Sequence, residues 1–201
     1  MYLLKEKIIS HDTDKEELQQ VKRSFGIRRI PDYFLSLLYA VQKMELSEEE
    51  KEGLGIIYAS HLGPIGQVHK YIDDLLTYPP EECSPAFFSH SVFNAPVAFL
   101  TKYLNIQGSS LSVCGFQQII ESSVLSAFAW LKTSYCKNVL IIYSDDISGI
   151  SCKISDLTGL QLFASDHLLL LTGEAMGESC RKLSAEEIIE KIKKQQQNGG
   201  F

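Results

Sequence analysis

The residues that could most clearly take part in a reaction are one cysteine and two histidines. Cys114 follows the small-residue run GSSLSV, and Gly115 and the stretch FQQ come directly after it. A cysteine at a helix N-terminus can act as a thiolate nucleophile, because the helix dipole and the unpaired N–H groups lower the pKa of the thiol. His61 and His90 are the histidines that could serve as its base. A Cys114–histidine dyad is therefore one interpretation of these residues.

A structural role is the other interpretation of the two histidines, and the one that we favour. His61 follows an apolar run and precedes Gly63, and His90 lies in the segment SHSVFN. Both are expected to cap loops or to donate to backbone carbonyls. The sequence offers no constellation for the remaining histidines, which are His11, His69 and His167.

Two further motifs could bind ligands. Gly63 and Gly66 in HLGPIG could approach a phosphate, but neither a Lys-Ser/Thr pair nor a GxGxxG motif accompanies them. A tight strand-to-helix turn is the better interpretation. Asp145 and Asp146 follow the strongest predicted strand, where α/β proteins often place ligands. Because no third ligand is visible, we expect the pair to bind solvent or to cap a turn, and we predict no metal and no cofactor.

Composition limits the class of protein. The chain has 201 residues, of which 45% are hydrophobic and 22% are charged, as is typical of one globular domain over residues 1–201. A formal net charge of -6 without clustered Lys and Arg excludes nucleic-acid binding. The N-terminal segment MYLLKEKIIS is too charged for a signal peptide or a membrane span, so we expect a cytoplasmic protein without a membrane span.

Cysteine spacing predicts neither a disulfide framework nor a zinc site. The sequence contains no CxxC pair, and the spacings between its cysteines are wide and irregular. Most of them are expected to be reduced and packed. The five are Cys83, Cys114, Cys136, Cys152 and Cys180.

The elements that would position these residues alternate between helices and strands. Apolar runs with flanking glycines predict strands, and apolar spacings of three and four predict helices. The predicted strands are residues 1–10, 54–60, 109–113, 138–144 and 166–174. The predicted helices are residues 14–25 (started by Asp12 or Thr13), 33–44, 66–76, 94–105 and 116–134, with a last helix behind a Ser184–Glu187 capping box and a polar tail (183–201). This order favours an α/β layered domain with a mostly parallel, mixed sheet covered by helices.

The order of three segments is more specific than the fold class. SPAFFSHSVFNAPVAFL (84–100), then GSSLSV with Cys114, and then NVLIIYSDD after a long helix resemble the N-terminal half of the β-ketoacyl synthases of the thiolase-like superfamily. IRRIP (27–31) matches the arginine-containing segment at the start of the family's domain, and GIIYASHLGPIG (55–66) matches its glycine-rich loop after a strand. The likeness extends from about Ile27 to Glu174. It is nearest to the short ketosynthase-like proteins and chain-length factors of aryl polyene and related pigment pathways.

The resemblance implies a thiolase-like half and a nucleophile position at Cys114 or Gly115. Active enzymes have small residues after the nucleophile, whereas Phe116, Gln117 and Gln118 would crowd an acyl thioester here. Active condensing enzymes also take two basic partners from a second thiolase-like half, and we expect this sequence to contain only the first half.

The resemblance therefore favours a non-catalytic, chain-length-factor type subunit. Such a subunit forms a heterodimer with an active ketosynthase in fatty acid or polyketide-type elongation on acyl carrier protein, and a homodimer is possible without the partner. An acyl-transfer enzyme that uses Cys114, and a stand-alone scaffold or binding domain, are the alternatives. The expected subunit-interface residues are Phe88, His90, Val92, Phe93, Asn94, Ser109, Ser110, Leu111, Ser112 and Val113.

Overall fold

A computed structural model describes residues 1–174 and 181–198. The strands are β1 (Tyr2–Ser10), β2 (Leu54–Ser60), β3 (Ser110–Cys114), β4 (Asn138–Tyr143), β5 (Ser165–Thr172) and β6 (Arg181–Lys182). The helices are α1 (Lys15–Ser24), α2 (Asp32–Gln42), α3 (Glu48–Lys51), α4 (Ile65–Thr77), α5 (Pro85–Ser91), α6 (Ala95–Tyr103), α7 (Ile119–Lys132), α8 (Gly149–Thr158) and α9 (Ala185–Asn198).

The strands form one mixed sheet in the order β3-β2-β4-β5-β1-β6. β2 pairs in parallel with β3 and β4, whereas antiparallel ladders join β4 to β5, β5 to β1 and β1 to β6. The predicted α/β layered fold is confirmed, with its parallel pairing confined to β3, β2 and β4. β5 is antiparallel to β4 because the connection through α8 leaves the carboxyl end of β4 and enters β5 at that same end of the sheet, so that Tyr143 pairs with His167.

Helices cover both faces of the sheet. One face packs against α2 and α6, and the other packs against α7 and α9. Every residue of β2 and β4 is buried, which explains why both strands read as continuous apolar runs in the sequence. β1 alternates between exposed and partly buried residues over its second half, as expected for a strand with one solvated face.

The structure corrects several predicted boundaries. The side chain of Asp14, rather than Asp12 or Thr13, caps α1 by accepting from Glu16 N. α5 was not predicted as a helix, and it starts with Pro85 at its first position. α8 was not predicted, although Ile150, Ile154 and Leu157 have helical spacing, because these three large apolar residues are the only ones in a segment of ten. The Ser184–Glu187 capping box of the last helix is confirmed.

Four of the five cysteines lie in the described residues, and all four are free thiols. Cys136 is buried and Cys152 is exposed, so the expectation of packing holds for the first and not for the second. Cys180 and the end of the polar tail, residues 199–201, lie outside the described residues. Within the described ranges, no helix is long and apolar enough to cross a membrane.

Candidate functional site

A buried carboxylate organises the carboxyl ends of the two central parallel strands. Asp145, just beyond β4, is fully buried and accepts four hydrogen bonds. Its Oδ1 accepts from Ser60 Oγ and His61 N, both at 2.7 Å. Its Oδ2 accepts from His61 Nδ1 at 2.8 Å and from Phe163 N at 2.9 Å. Asp145 therefore joins the end of β2 to the end of β4 and to the segment that leads into β5.

The pKa of Asp145 reflects this environment. Burial alone would raise the pKa of the carboxyl, but the hydrogen bond and charge of His61 and the N–H of Phe163 outweigh burial and lower it. The carboxylate form is therefore the form that the fold stabilises. Of the two roles expected for the acidic pair, solvent binding and turn capping, the second describes Asp145, because it is fully buried and accepts from the backbone N–H groups of His61 and Phe163.

The second acidic residue holds the turn that follows β2. Asp146 Oδ2 accepts from Gly66 N at 2.8 Å, and a Cβ atom on Gly66 would lie 2.8 Å from that same oxygen. Gly63 has a φ of +61°, and a Cβ atom there would lie 2.7 Å from Phe93 Cδ1. The two glycines are thus required by a tight strand-to-helix turn, as the sequence predicted. Unlike Asp145, Asp146 has a raised pKa, with burial as the main cause.

Cys114 lies beside this turn, at the last position of β3. It pairs in register with Ser60 of β2, and its Sγ lies 3.6 Å from the position of a Cβ atom on Gly63. Burial, and then the negative charge of Asp145, raises the pKa of the thiol to about 11. A nucleophilic cysteine needs the opposite shift.

The helix after Cys114 does not supply that shift. α7 begins at Ile119 rather than at Phe116, behind Gln118 in a left-handed conformation (φ 58°). The predicted position of Cys114 at the helix N-terminus is therefore wrong, because four residues separate the thiol from the first helical residue. Phe116, one of these four, is 60% exposed.

The raised pKa gives a direct prediction for alkylation. Near pH 8, we expect iodoacetamide to modify Cys114 about 100-fold more slowly than an unperturbed thiol, because the thiolate fraction falls about tenfold for each pKa unit. Peptide mass spectrometry over time measures the rate, with exposed Cys152 of the same chain as the internal reference. Modification of Cys114 as fast as that of Cys152 would contradict the raised pKa.

Neither candidate base is joined to Cys114. His61 Nδ1 is held by Asp145, and the His61 ring packs on Phe163 with centroids 4.8 Å apart. His90, on α5, packs edge-on against Phe34, and burial lowers its pKa. Among the described residues, no hydrogen bond links either histidine to the thiol. The expected contact of His61 with a backbone carbonyl is replaced by the contact with the Asp145 carboxylate.

One histidine that the sequence left without a partner has one in the structure. His11, just after β1, lies with its Nε2 2.9 Å from Asp166 Oδ1. Burial alone would lower the pKa of His11, but the hydrogen bond and charge of Asp166 outweigh it and the pKa is raised. The pair joins β1 to β5 across 155 residues of sequence, which sequence spacing could not reveal.

The raised pKa of His11 predicts a pH-dependent contribution to stability. That contribution is fully present below the ordinary histidine pKa and is lost as pH rises through the higher folded-state pKa. We expect His11→Gln to lower the free energy of unfolding by about 1.5–3 kcal/mol near pH 5.5 and by less near pH 8.5. Urea titrations at both pH values measure this. His69→Gln is the matched control, since His69 pairs only with Asp73 on an exposed helix face, and an equal loss at both pH values would contradict the assignment.

The predicted interface residues lie on α5, on the connection from α5 to α6, and on or just before β3. Within the part of the chain that the structure describes, β3 is an edge strand paired with β2 alone. None of the ten residues is buried, and Phe88 and Phe93 are 55% and 58% exposed. The side-chain oxygen of Ser112 is buried without a hydrogen-bond partner among the described residues.

Solved structures with the same fold are ketosynthase-type proteins. A chain of the complex of a ketosynthase (ApeO) with its chain length factor (ApeC) from Xenorhabdus doucetiae superposes with a TM-score of 0.59 at 16% identity, covering 87% of this chain and 79% of that one. The ishigamide ketosynthase/chain length factor gives 0.69 at 13% identity, covering 84% and 50%. A β-ketoacyl synthase from Burkholderia phymatum STM815 gives 0.50 at 9% identity, covering 81% and 45%. The fold is therefore the thiolase-like fold of ketosynthases.

The family follows from sequence. Residues 28–150 match the model of the β-ketoacyl synthase N-terminal domain family, and the chain belongs to this family. The chain spans about half the length of the ishigamide and Burkholderia chains. No curated protein matches it in sequence at a significant level.

Proposed function

We propose that this protein is a non-catalytic, chain-length-factor type subunit that pairs with an active β-ketoacyl synthase. In this role it would help to shape the site in which the partner extends an acyl chain on acyl carrier protein, in an aryl polyene-like or related pathway. The observation that carries the proposal is the state of the only cysteine at the nucleophile position. Cys114 has a raised pKa, no histidine bonded to it and no helix N-terminus directly behind it.

The open edge of β3 supports the pairing part of the proposal. An unpaired strand edge offers N–H and C=O groups to a second strand, and natural proteins usually block or cover such edges. Phe116, which follows the strand, and Phe93, which like Cys114 lies beside Gly63, are both more than half exposed. Among the described residues, no second strand pairs with β3. A partner strand added to β3 would extend the sheet and would cover these rings. Two solved proteins of this fold are ketosynthase and chain length factor pairs.

Co-expression tests this proposal. We expect the protein, tagged on its C-terminus, to co-purify with the ketosynthase encoded nearest to it, and the complex to have the mass of one copy of each. Mass photometry of the purified complex gives the stoichiometry. An untagged thiolase from central metabolism, expressed in the same way, controls for nonspecific capture. Failure of the ketosynthase to bind would reject the proposal in favour of a stand-alone domain.

A further inference from the structure

A cleft beside the carboxyl end of β4 has the features of an anion-binding site. Its volume is about 650 Å³, within the range of cavities that hold small molecules. It lies between α1, α2, α4 and the first turn of α8, and Asp146 and His11 form part of its wall. Cys114 does not line it, so the cleft is separate from the nucleophile position.

Three lysines from three different helices line this cleft. Lys15 lies on α1, Lys70 on α4 and Lys153 on α8. The salt bridges of lysines within the described residues all involve other lysines. The sequence as a whole carries a formal charge of -6, so a cleft with three unpaired ammonium groups differs from its surroundings. Converging lysines are a common way of binding a phosphate or a carboxylate.

The first turn of α8 adds N–H donors to the same cleft. Ser148 caps the helix, and Ser148, Gly149 and Ile150 all line the cavity. The described residues supply no backbone acceptor for the N–H groups of Gly149 and Ile150. A Cβ atom on Gly149 would meet nothing within 4 Å, so no neighbouring group crowds the Cα of this residue. The N-terminus of a ten-residue helix favours an anion at this place.

The acidic groups of the cleft do not cancel these charges. Asp145 is engaged by its four protein donors. Asp146 accepts from Gly66 N at 2.8 Å, and burial raises its pKa. Asp32, at the start of α2, is the remaining carboxylate of the lining. The three lysines and His11, whose pKa is raised, line the same cleft.

We infer that the cleft binds an organic phosphate, with the phosphoryl group between Lys70, Lys153 and the start of α8. The cleft is much larger than a bare phosphate, and Leu18, Tyr33 and Ile150 line it with apolar surface. The ligand therefore carries an apolar or aromatic body in addition to its charged group. This inference is independent of the pairing proposed above, because no residue of the β3 edge takes part.

Calorimetric titration with phenyl phosphate tests the inference on the full chain. We expect saturable binding, and at least about tenfold weaker binding of phenol, which has the ring without the charge. The double variant K70A/K153A is expected to bind phenyl phosphate about tenfold more weakly or worse. K102A/K132A removes the same charge at exposed positions outside the cleft and is expected to bind as the unaltered protein does.

Three results would overturn the inference. They are the absence of saturable phenyl phosphate binding, equal binding of phenol, and equal losses in the two double variants. Circular dichroism of each variant establishes that it is folded before its binding is compared. The outcome of this titration does not bear on whether the ketosynthase co-purifies with the chain, so either proposal can fail without the other.

Discussion

Ser112→Pro is expected to weaken binding to the proposed ketosynthase partner strongly while the chain remains folded. On β3, Ser109 O accepts from Ile56 N at 2.9 Å and Gly115 N donates to Ser60 O at 3.3 Å, so the odd-numbered residues bond to β2. The N–H of Ser112 therefore points to the open edge. Proline removes that donor and places its ring where a partner strand would lie, and edge strands tolerate proline at such positions.

We expect the loss of affinity to be about 30-fold or more, from one missing hydrogen bond and the steric conflict. Co-purification and biolayer interferometry against the immobilised ketosynthase measure it. Ser112→Ala keeps the N–H and removes only the hydroxyl, so it is expected to bind almost as the unaltered chain does. Equal binding of Ser112→Pro and Ser112→Ala would show that the partner does not pair with β3.

Asp145→Asn is expected to be the most destabilising single substitution in the site. An amide keeps one acceptor oxygen but turns an NH2 group toward two of the four donors that Asp145 now accepts from. We expect the free energy of unfolding to fall by about 3–5 kcal/mol, because removal of one partner leaves buried donors unpaired. Urea denaturation near pH 7 measures the change.

Asp146→Asn is the matched control for Asp145→Asn. Asp146 accepts one backbone hydrogen bond, which an amide oxygen can also accept, and its raised pKa shows that burial opposes its charge. We expect its free energy of unfolding to stay within about 1 kcal/mol of the unaltered value. Similar effects of the two substitutions would contradict the distinct roles of the two carboxylates.

The pH dependence of Asp145 has the opposite direction from that of His11. Because the folded-state pKa of Asp145 is lowered, its contribution is present above the ordinary carboxyl pKa and is lost as pH falls through the folded value. Acid unfolding of the unaltered chain is therefore expected to be steeper below about pH 4 than that of Asp145→Asn. Denaturant midpoints measured from neutral pH downward test this.

The sequence predicted the central strands and the helices around them because their patterns are local. β2 and β4 are continuous apolar runs, and α2 has apolar residues at helical spacing. The direction of β5 could not be predicted from the sequence, since it depends on the end of the sheet at which the chain lies after α8. α8 itself was not predicted because only three of its ten residues are large and apolar.

The candidate site was predictable in its location and not in its hydrogen bonds. The sequence placed Cys114, His61 and the two aspartates at the carboxyl ends of neighbouring strands. The partners of Asp145 come from β2 and from Phe163, and those of His11 from β5, so they are set by tertiary structure. The raised pKa of Cys114 follows from burial and from Asp145, which no local motif specifies.

Under the proposed function, elongation by the pair does not use Cys114. The most direct measurement is acyl-chain elongation by the purified complex, with Cys114→Ala in this subunit and, separately, alanine at the partner's own nucleophile. We predict that Cys114→Ala leaves the rate and the product length within about twofold of the unaltered complex, a change of less than 0.5 kcal/mol in activation free energy. Loss of elongation in Cys114→Ala, with the complex still assembled, would contradict the account and assign catalysis to this chain.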